Sequence, residues 1–231
     1  MKYRHLFFDL DHTIWDFETN SRITLEQLYH EHALKERGVD DFERFHQCYL
    51  AHNDRLWEKY RNGQLKVDIL RWKRFWLALL DFKIADEALS KVMATSFLES
   101  LPTRTVLFPY AREVLEYLRG RGYLMHLITN GFEKTQLSKL QYSGIAHFFM
   151  EVITSEGSNS LKPHKAIFDY ALQKALADPE HSIMIGDDAE VDIRGAMNAG
   201  IDQVFVNYNR KAIDFVPTYT IYSLEELLTL F

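Results

Sequence analysis

The sequence predicts an α/β fold: a doubly wound, mainly parallel sheet with an all-helical insertion after its first strand. Three observations predict it. Short apolar runs recur through residues 104–231, with helical periodicity between them. One more such run stands alone at residues 4–9. Residues 16–100, by contrast, carry helical periodicity and no convincing strand. Strands separated by helices need crossover connections, and crossovers make parallel neighbours.

Taken in order, "RHLFFD" at 4–9 is short and continuous, as suits a strand buried on both faces. In the insertion, "RWKRFWLALL" sets Trp72, Phe75, Trp76, Leu79 and Leu80 at i, i+3, i+4, i+7 and i+8, one helical face. Arg71, Lys73 and Arg74 lie off that stripe and are expected on a solvated back rather than on nucleic acid. "AREVLEYLRGRG" reads as a helix ended by Gly120 and Gly122. Strands are expected at 123–129, 148–154, 181–186 and 202–206, and "SLEE" at 223–226 has the spacing of a capping box. The expected domains are a Rossmann-like core of residues 1–15 and 101–231 and a helical domain of residues 16–100. An insertion directly after the first strand emerges at that strand's C-terminal end. Open α/β sheets bind ligands there, so the insertion is expected to cover a site like a lid.

Composition narrows the class. With 47% hydrophobic and 14% aromatic residues among 231, the chain can bury a sizeable core, which argues against disorder. A net charge of −6 argues against a nucleic-acid polymer as partner. The lone Cys48 excludes an intrachain disulfide and reads as a small apolar helix residue. No apolar segment suits a signal peptide or a membrane span, so a soluble cytoplasmic protein with no membrane partner is expected. His30 and His32 stand two apart on a helix, face different ways, and are expected at the surface.

The chemistry-bearing residues gather where strands end. Asp9 and Asp11 close the first strand, and two close carboxylates need proton sharing or a cation to relieve their repulsion. Mg²⁺ is a natural counter-charge; "DLD" alone is equally a pair of solvated loop acids. "IMIGDDAEVD" loads a second strand end with Asp187 and Asp188, and Asp192 follows one helical turn on. Helix capping explains one of these three acids, and two acidic strand ends facing one cleft point to a cation site. In "LITNGF", Thr129, Asn130 and the turn at Gly131 suit an anion at a helix N-terminus, although Asn-Gly is also an ordinary turn. Lys162 precedes Pro163 near the start of a further helix. Beside a cation-and-phosphate site it would balance charge; in isolation it is a surface lysine.

The ordered set "DLDHT", "TNG", "KP" and "GDDAEVD", each at a strand end, resembles the haloacid dehalogenase superfamily over residues 1–15 and 104–210. The helical insertion resembles that family's helical cap. The resemblance implies Asp9 as the nucleophile that forms an aspartyl-phosphate and also binds Mg²⁺. It implies Asp11 as general acid and then base, with its backbone carbonyl reaching the metal. Thr129 and Asn130 would hold the phosphoryl group, and Lys162 would stabilise charge on nucleophile and phosphate. Asp187 would be the third metal ligand, with Asp188 and Asp192 in support. Carbon–halogen-cleaving members lack an aspartate at the position of Asp11, so its presence here favours phosphate chemistry.

A finer resemblance lies in "TNGFEKTQLSKLQYSGI", with Gln136, Lys139 and Leu140, and in Trp15-Asp16-Phe17. Both are similar to the 5′-nucleotidase branch that acts on pyrimidine nucleoside monophosphates. The implied partner is a small-molecule phosphate ester. Trp57, Tyr60, Arg61 and Phe17 are candidates to meet a base and ribose. "SEGSNSLKP" departs from the branch, whose members more often carry a Val-Gly or Tyr-Gly step before the lysine. Alternatives are another small-molecule phosphatase, such as one for sugar phosphates or phosphoglycolate, and a phosphoryl-transferring mutase. A signalling receiver domain fits poorly, because receivers lack such an insertion.

Overall fold

A computed structural model describes residues 2–231. The chain divides into two compact units, one running up to Phe17 and resuming over Thr105–Phe231, the other Glu18–Arg104.

The first unit begins with β1 (His5–Phe8), buried at all four positions. Beyond Asp9 the chain reverses. Ile14 and Trp15 both donate their backbone N–H to the Leu10 carbonyl (3.0 and 2.9 Å), and His12 donates to the Trp15 carbonyl (2.9 Å). His12 takes φ +63°, a left-handed conformation that a reversal this tight requires. The outgoing and returning chains then pair: Asp16 N–H meets the Val106 carbonyl at 3.1 Å, and Phe108 N–H the Ile14 carbonyl at 2.9 Å.

The second unit consists of α1 (Phe17–Glu31, whose first residue belongs to the other unit), α2 (Phe42–Arg61), α3 (Val67–Leu80) and α4 (Glu87–Ser100). Asp41 and Asp86 cap α2 and α4 by accepting from Arg44 N–H (3.2 Å) and Leu89 N–H (2.9 Å). Tyr49, Phe75 and Phe97 fill the interior, with ring centroids 4.9–5.5 Å apart. Here the expected stripe on α3 is corrected. The buried face is Leu70, Arg74, Phe75, Ala78 and Leu79, while Trp72 and Trp76 are half-buried and Leu80 is exposed. Arg74, expected on a solvated back, is only 3% exposed. Its guanidinium donates to Asn53 Oδ1 (2.9 Å) and lies 5.3–5.8 Å from the rings of Tyr49, Phe75 and Phe97. Aromatic faces attract a cation, and the aliphatic stem packs like any apolar chain. His30 is exposed, whereas His32 is half-buried just past the end of α1.

The first unit resumes with α5 (Ala111–Gly120), β2 (Leu124–Thr129), α6 (Glu133–Tyr142), β3 (Phe149–Thr154), α7 (Ser155–Ser158), α8 (Lys165–Ala175) and β4 (Ser182–Gly186). A π-helical turn (Ala189–Arg194) leads into α9 (Gly195–Asn198); β5 (Asp202–Val206), β6 (Tyr219–Ile221) and α10 (Leu227–Leu230) complete it. The strands expected from the sequence are present, and their ends move by one residue at most. β6 is additional: three residues are too few to carry a periodicity. The capping box is present, Ser223 accepting from Glu225 N–H and Glu226 from Ser223 N–H.

All six strands are parallel, in the order β3-β2-β1-β4-β5-β6. Phe7, Ile128, Ile153 and Met184 stand on one face and pack with Ile167, Phe168 and Ala171 of α8 and Ala196 of α9. His126 shares that face: its ring stacks on Phe7 (4.9 Å), and its Nε2 lies 3.1 Å from His5 Nδ1. Among the described residues, no helix is long and apolar enough to cross a membrane.

Candidate active site

From β1 the chain winds to β2 and β3 on one side, then crosses to β4, β5 and β6 on the other. Strand order therefore reverses between β1 and β4, and such a reversal leaves a crevice at the strands' C-terminal ends. Asp9 follows β1 and Asp187 follows β4 at that crevice. Register holds the two ends level, since Phe8 pairs with both Leu127 and Ile185, and Asp9 N–H donates to the Ile185 carbonyl at 2.9 Å.

Asp9 and Asp11, two residues apart, have different surroundings. Asp9 is buried, and its Oδ1 accepts from Lys162 Nζ at 2.5 Å. Lys162, also buried, reaches Asp192 Oδ1 at 2.7 Å. Asp9, Asp187 and Asp192 each bring a carboxylate oxygen within 4.8 Å of the others. Burial, then the charges of Asp192 and Asp11, push the Asp9 carboxyl up to about 7 against the pull of Lys162. Burial together with Asp192 and Asp9 raises Asp187 well above the usual carboxylate range. Lys162 is held charged, because the two carboxylates outweigh the cost of burying it. For Asp11 burial works towards a raised value, but Lys139 Nζ at Oδ1 (2.5 Å) and Gln136 Nε2 at Oδ2 (2.8 Å) outweigh it and hold the carboxyl low.

Three acids against one lysine leave net negative charge in a buried place, and burial first, then that repulsion, raises the carboxyls. An all-oxygen donor set with excess negative charge fits a hard divalent cation such as Mg²⁺. Of the expected ligands Asp9 and Asp187 belong to this carboxylate group, and Asp192, expected in support, joins them. The Asp11 carboxylate is turned to Lys139 and Gln136, and the reach expected of Asp11 to the metal is through its backbone carbonyl. Asp187 Oδ1 also accepts from Thr13 Oγ1 at 3.0 Å. Asp188 is the capping acid, accepting from Glu190 N–H (3.0 Å) and Val191 N–H (2.9 Å). Asp192 Oδ2 accepts from Asp188 N–H at 3.1 Å and presses on Gly186, where a Cβ would come within 2.4 Å of it.

Thr129 and Asn130 end β2 as expected, with distinct tasks. Thr129 Oγ1 accepts from Gly131 N–H (3.1 Å) and Gln136 Nε2 (2.7 Å), which leaves its own hydroxyl proton to be donated to another acceptor. The Asn130 side chain donates to the Lys162 carbonyl (2.9 Å) and accepts from Lys162 N–H (2.7 Å), so it fastens the lysine's backbone. Trp57, Tyr60 and Arg61 form a half-buried group at the end of α2, the two rings 5.7 Å apart. Phe17 lies near His12 (5.2 Å) and Trp15 (6.4 Å). The sequence reading gave no role to Gln136 and Lys139. Their i, i+3 spacing on the helix after "TNG" was the available signal.

A family model of haloacid dehalogenase-like hydrolases matches residues 3–200. The chain is 31% identical over 231 residues to the pyrimidine 5′-nucleotidase PynA of Streptococcus pneumoniae, covering 99% of this chain and 94% of that one. It is 32% identical over 233 residues to the pyrimidine 5′-nucleotidase YjjG of Escherichia coli, covering 98% and 97%. The magnesium-bound crystal structure of the HAD-hydrolase YfnB from Bacillus subtilis superposes with a TM-score of 0.89 at 27% identity, over 100% of this chain and 99% of that one. The chain belongs to the haloacid dehalogenase-like hydrolases.

Proposed function

We propose that this hydrolase cleaves phosphomonoesters through an aspartyl-phosphate on Asp9, with Mg²⁺ as cofactor and pyrimidine nucleoside monophosphates as its substrates. The observation that carries the reading is the separation of two neighbouring carboxylates, Asp9 onto Lys162 and Asp11 onto Lys139 and Gln136. Carboxylates kept in different environments can take different roles.

Asp9 attacks phosphorus with one carboxylate oxygen, while Lys162 holds the other and offsets charge on the phosphoryl group. The Thr129 hydroxyl and the backbone N–H of Asn130 receive phosphoryl oxygens. Asp11 acts here in its protonated form, which Lys139 and Gln136 make the minor one in the free site; as the ester bond breaks it passes that proton to the departing alcohol. It then removes a proton from the water that opens the aspartyl-phosphate, and inorganic phosphate leaves. Asp9 and Asp187, with the Asp11 carbonyl, would hold Mg²⁺, and Asp192 and Asp188 support that loop. When bound, the cation supplies the positive charge that offsets clustered carboxylates and phosphate.

The nucleotide preference is supported by full-length similarity to two proteins named as pyrimidine 5′-nucleotidases. Phosphate release should be measured over nucleoside monophosphates and sugar phosphates, with and without Mg²⁺. Pyrimidine nucleotides should lead, and chelation should abolish turnover. Asp9→Asn should remove release from p-nitrophenyl phosphate while circular dichroism stays native. Undiminished turnover in that variant would sink the mechanism. A profile with no pyrimidine nucleotide among the best substrates would sink the preference.

A further inference from the structure

Lys139 and Gln136 are nearly inaccessible, at 2% and 1% exposed, and stand on one face of α6. Burying an ammonium and an amide is costly unless each finds strong partners. Both find Asp11, one on each carboxylate oxygen. The Lys139 ammonium also lies 4.2 Å from the Trp15 ring centroid and 5.6 Å from that of Phe17. The Trp15 ring is itself anchored, its Nε1 donating to Ser143 Oγ at 3.2 Å. Gln136 spans two functions, because its Nε2 also donates to Thr129 Oγ1. Its orientation is set by charge: the amide oxygen in that place would face a carboxylate. Gly131 admits it, since a Cβ there would sit 2.0 Å from Nε2.

We propose that Lys139 and Gln136 are positioning residues for proton transfer. Lys139 and Gln136 fix both oxygens of Asp11, and Gln136 ties that carboxyl to the hydroxyl that binds the phosphoryl group. A carboxyl held at both oxygens is restrained from rotating, so the lone pair that carries the transferred proton keeps one direction. The bridge to Thr129 keeps that direction in register with the phosphoryl group. This inference rests on the proton-handling role of Asp11 proposed above.

The leaving group provides the test. A p-nitrophenolate departs without a proton, whereas a nucleoside alkoxide needs one. The full-length chain should be assayed as Lys139→Met, Lys139→Arg, Gln136→Met and Asp11→Asn on p-nitrophenyl phosphate and on uridine monophosphate. The readout is kcat/KM, which reports leaving-group departure rather than the hydrolysis of the aspartyl-phosphate that both substrates share. On it, Lys139→Met should lower the nucleotide rate by roughly 10- to 100-fold, with a several-fold smaller loss on the nitrophenyl ester. Gln136→Met should show the same bias in weaker form. Lys139→Arg, which keeps the charge, should recover part of the nucleotide rate. Equal losses on both substrates in natively folded Lys139 and Gln136 variants, or no loss, would overturn the proposal. If Lys139→Met does not fold, Gln136→Met and Lys139→Arg decide by the same ratio. The Asp11→Asn control separates the two levels. A leaving-group bias there but not in the other variants defeats only the positioning role. Absence of bias in Asp11→Asn defeats the role of Asp11 itself.

Discussion

Lys162 and Arg74 are both buried cations, one in each unit, and they are accommodated by opposite means. Lys162 is met by the carboxylates of Asp9 and Asp192 at 2.5 and 2.7 Å, with Asp187 close behind. Among the described residues Arg74 has no carboxylate partner; three aromatic rings, the Asn53 amide and the Arg71 carbonyl surround it. Rings and amides attract a cation without a charge of their own to be neutralised, so the arginine can serve packing alone. Carboxylates gathered in excess around one lysine leave charge unbalanced, a poor way to stabilise a fold and a useful way to hold a cation and a phosphate. The difference teaches that burial of a charge says little by itself; what surrounds it separates architecture from chemistry.

Lys162→Met should break the comparison on the chemical side, cutting kcat for phosphate release by on the order of 10²- to 10³-fold, as loss of a charge-stabilising donor does. Steady-state kinetics at saturating Mg²⁺ checks it. Arg74→Ala should break it on the structural side. The lost packing and the stranded Asn53 oxygen should cost about 2–4 kcal/mol in urea unfolding. The kcat of the folded fraction should stay within about threefold, and a loss matching that of Lys162→Met would erase the distinction. His126 sharpens the comparison, as a buried titratable group stacked on the Phe7 and His5 rings with no acid among the described residues to hold it charged. Burial, with His5 beside it, lowers it from 6.5 to about 4. At this site the unfolded chain therefore binds more protons than the native one between those values, so the His126 contribution to stability should fall as pH drops through that window. It is read as the difference between wild type and His126→Phe, because the raised Asp9 and Asp187 carboxyls act in the opposite sense. The slope of that difference approaches about 1.4 kcal/mol per pH unit at most, read by chemical unfolding of both proteins at pH 7, 6 and 5.

Much of this was readable from the sequence wherever function is written in contiguous residues. Apolar runs ending in Asp9, Thr129 and Asp187 announce strands and the groups beyond them, because a parallel sheet puts all such ends on one edge. What the sequence left out depends on distance along the chain. The place of Asp192 in the carboxylate group follows from the π-helical turn, which curls it back over Gly186; its spacing alone suits an ordinary helix. Arg74 is invisible to any pattern that counts arginine as polar, since its burial depends on Tyr49 and Phe97 from two other helices. β6 escapes because a three-residue edge strand draws its identity from its neighbour β5.

The Asn130 amide offers Lys162 one donor and one acceptor, the same pair a residue in a neighbouring strand would offer. A side chain thus stands in for a length of backbone, and the lysine's loop is stitched to the end of β2 as though the sheet ran one rung further. The Nζ that meets Asp9 and the hydroxyl of Thr129 are therefore carried on a single stiff frame. An aspartate at 130 would offer acceptors on both sides and lose the rung that faces the Lys162 carbonyl.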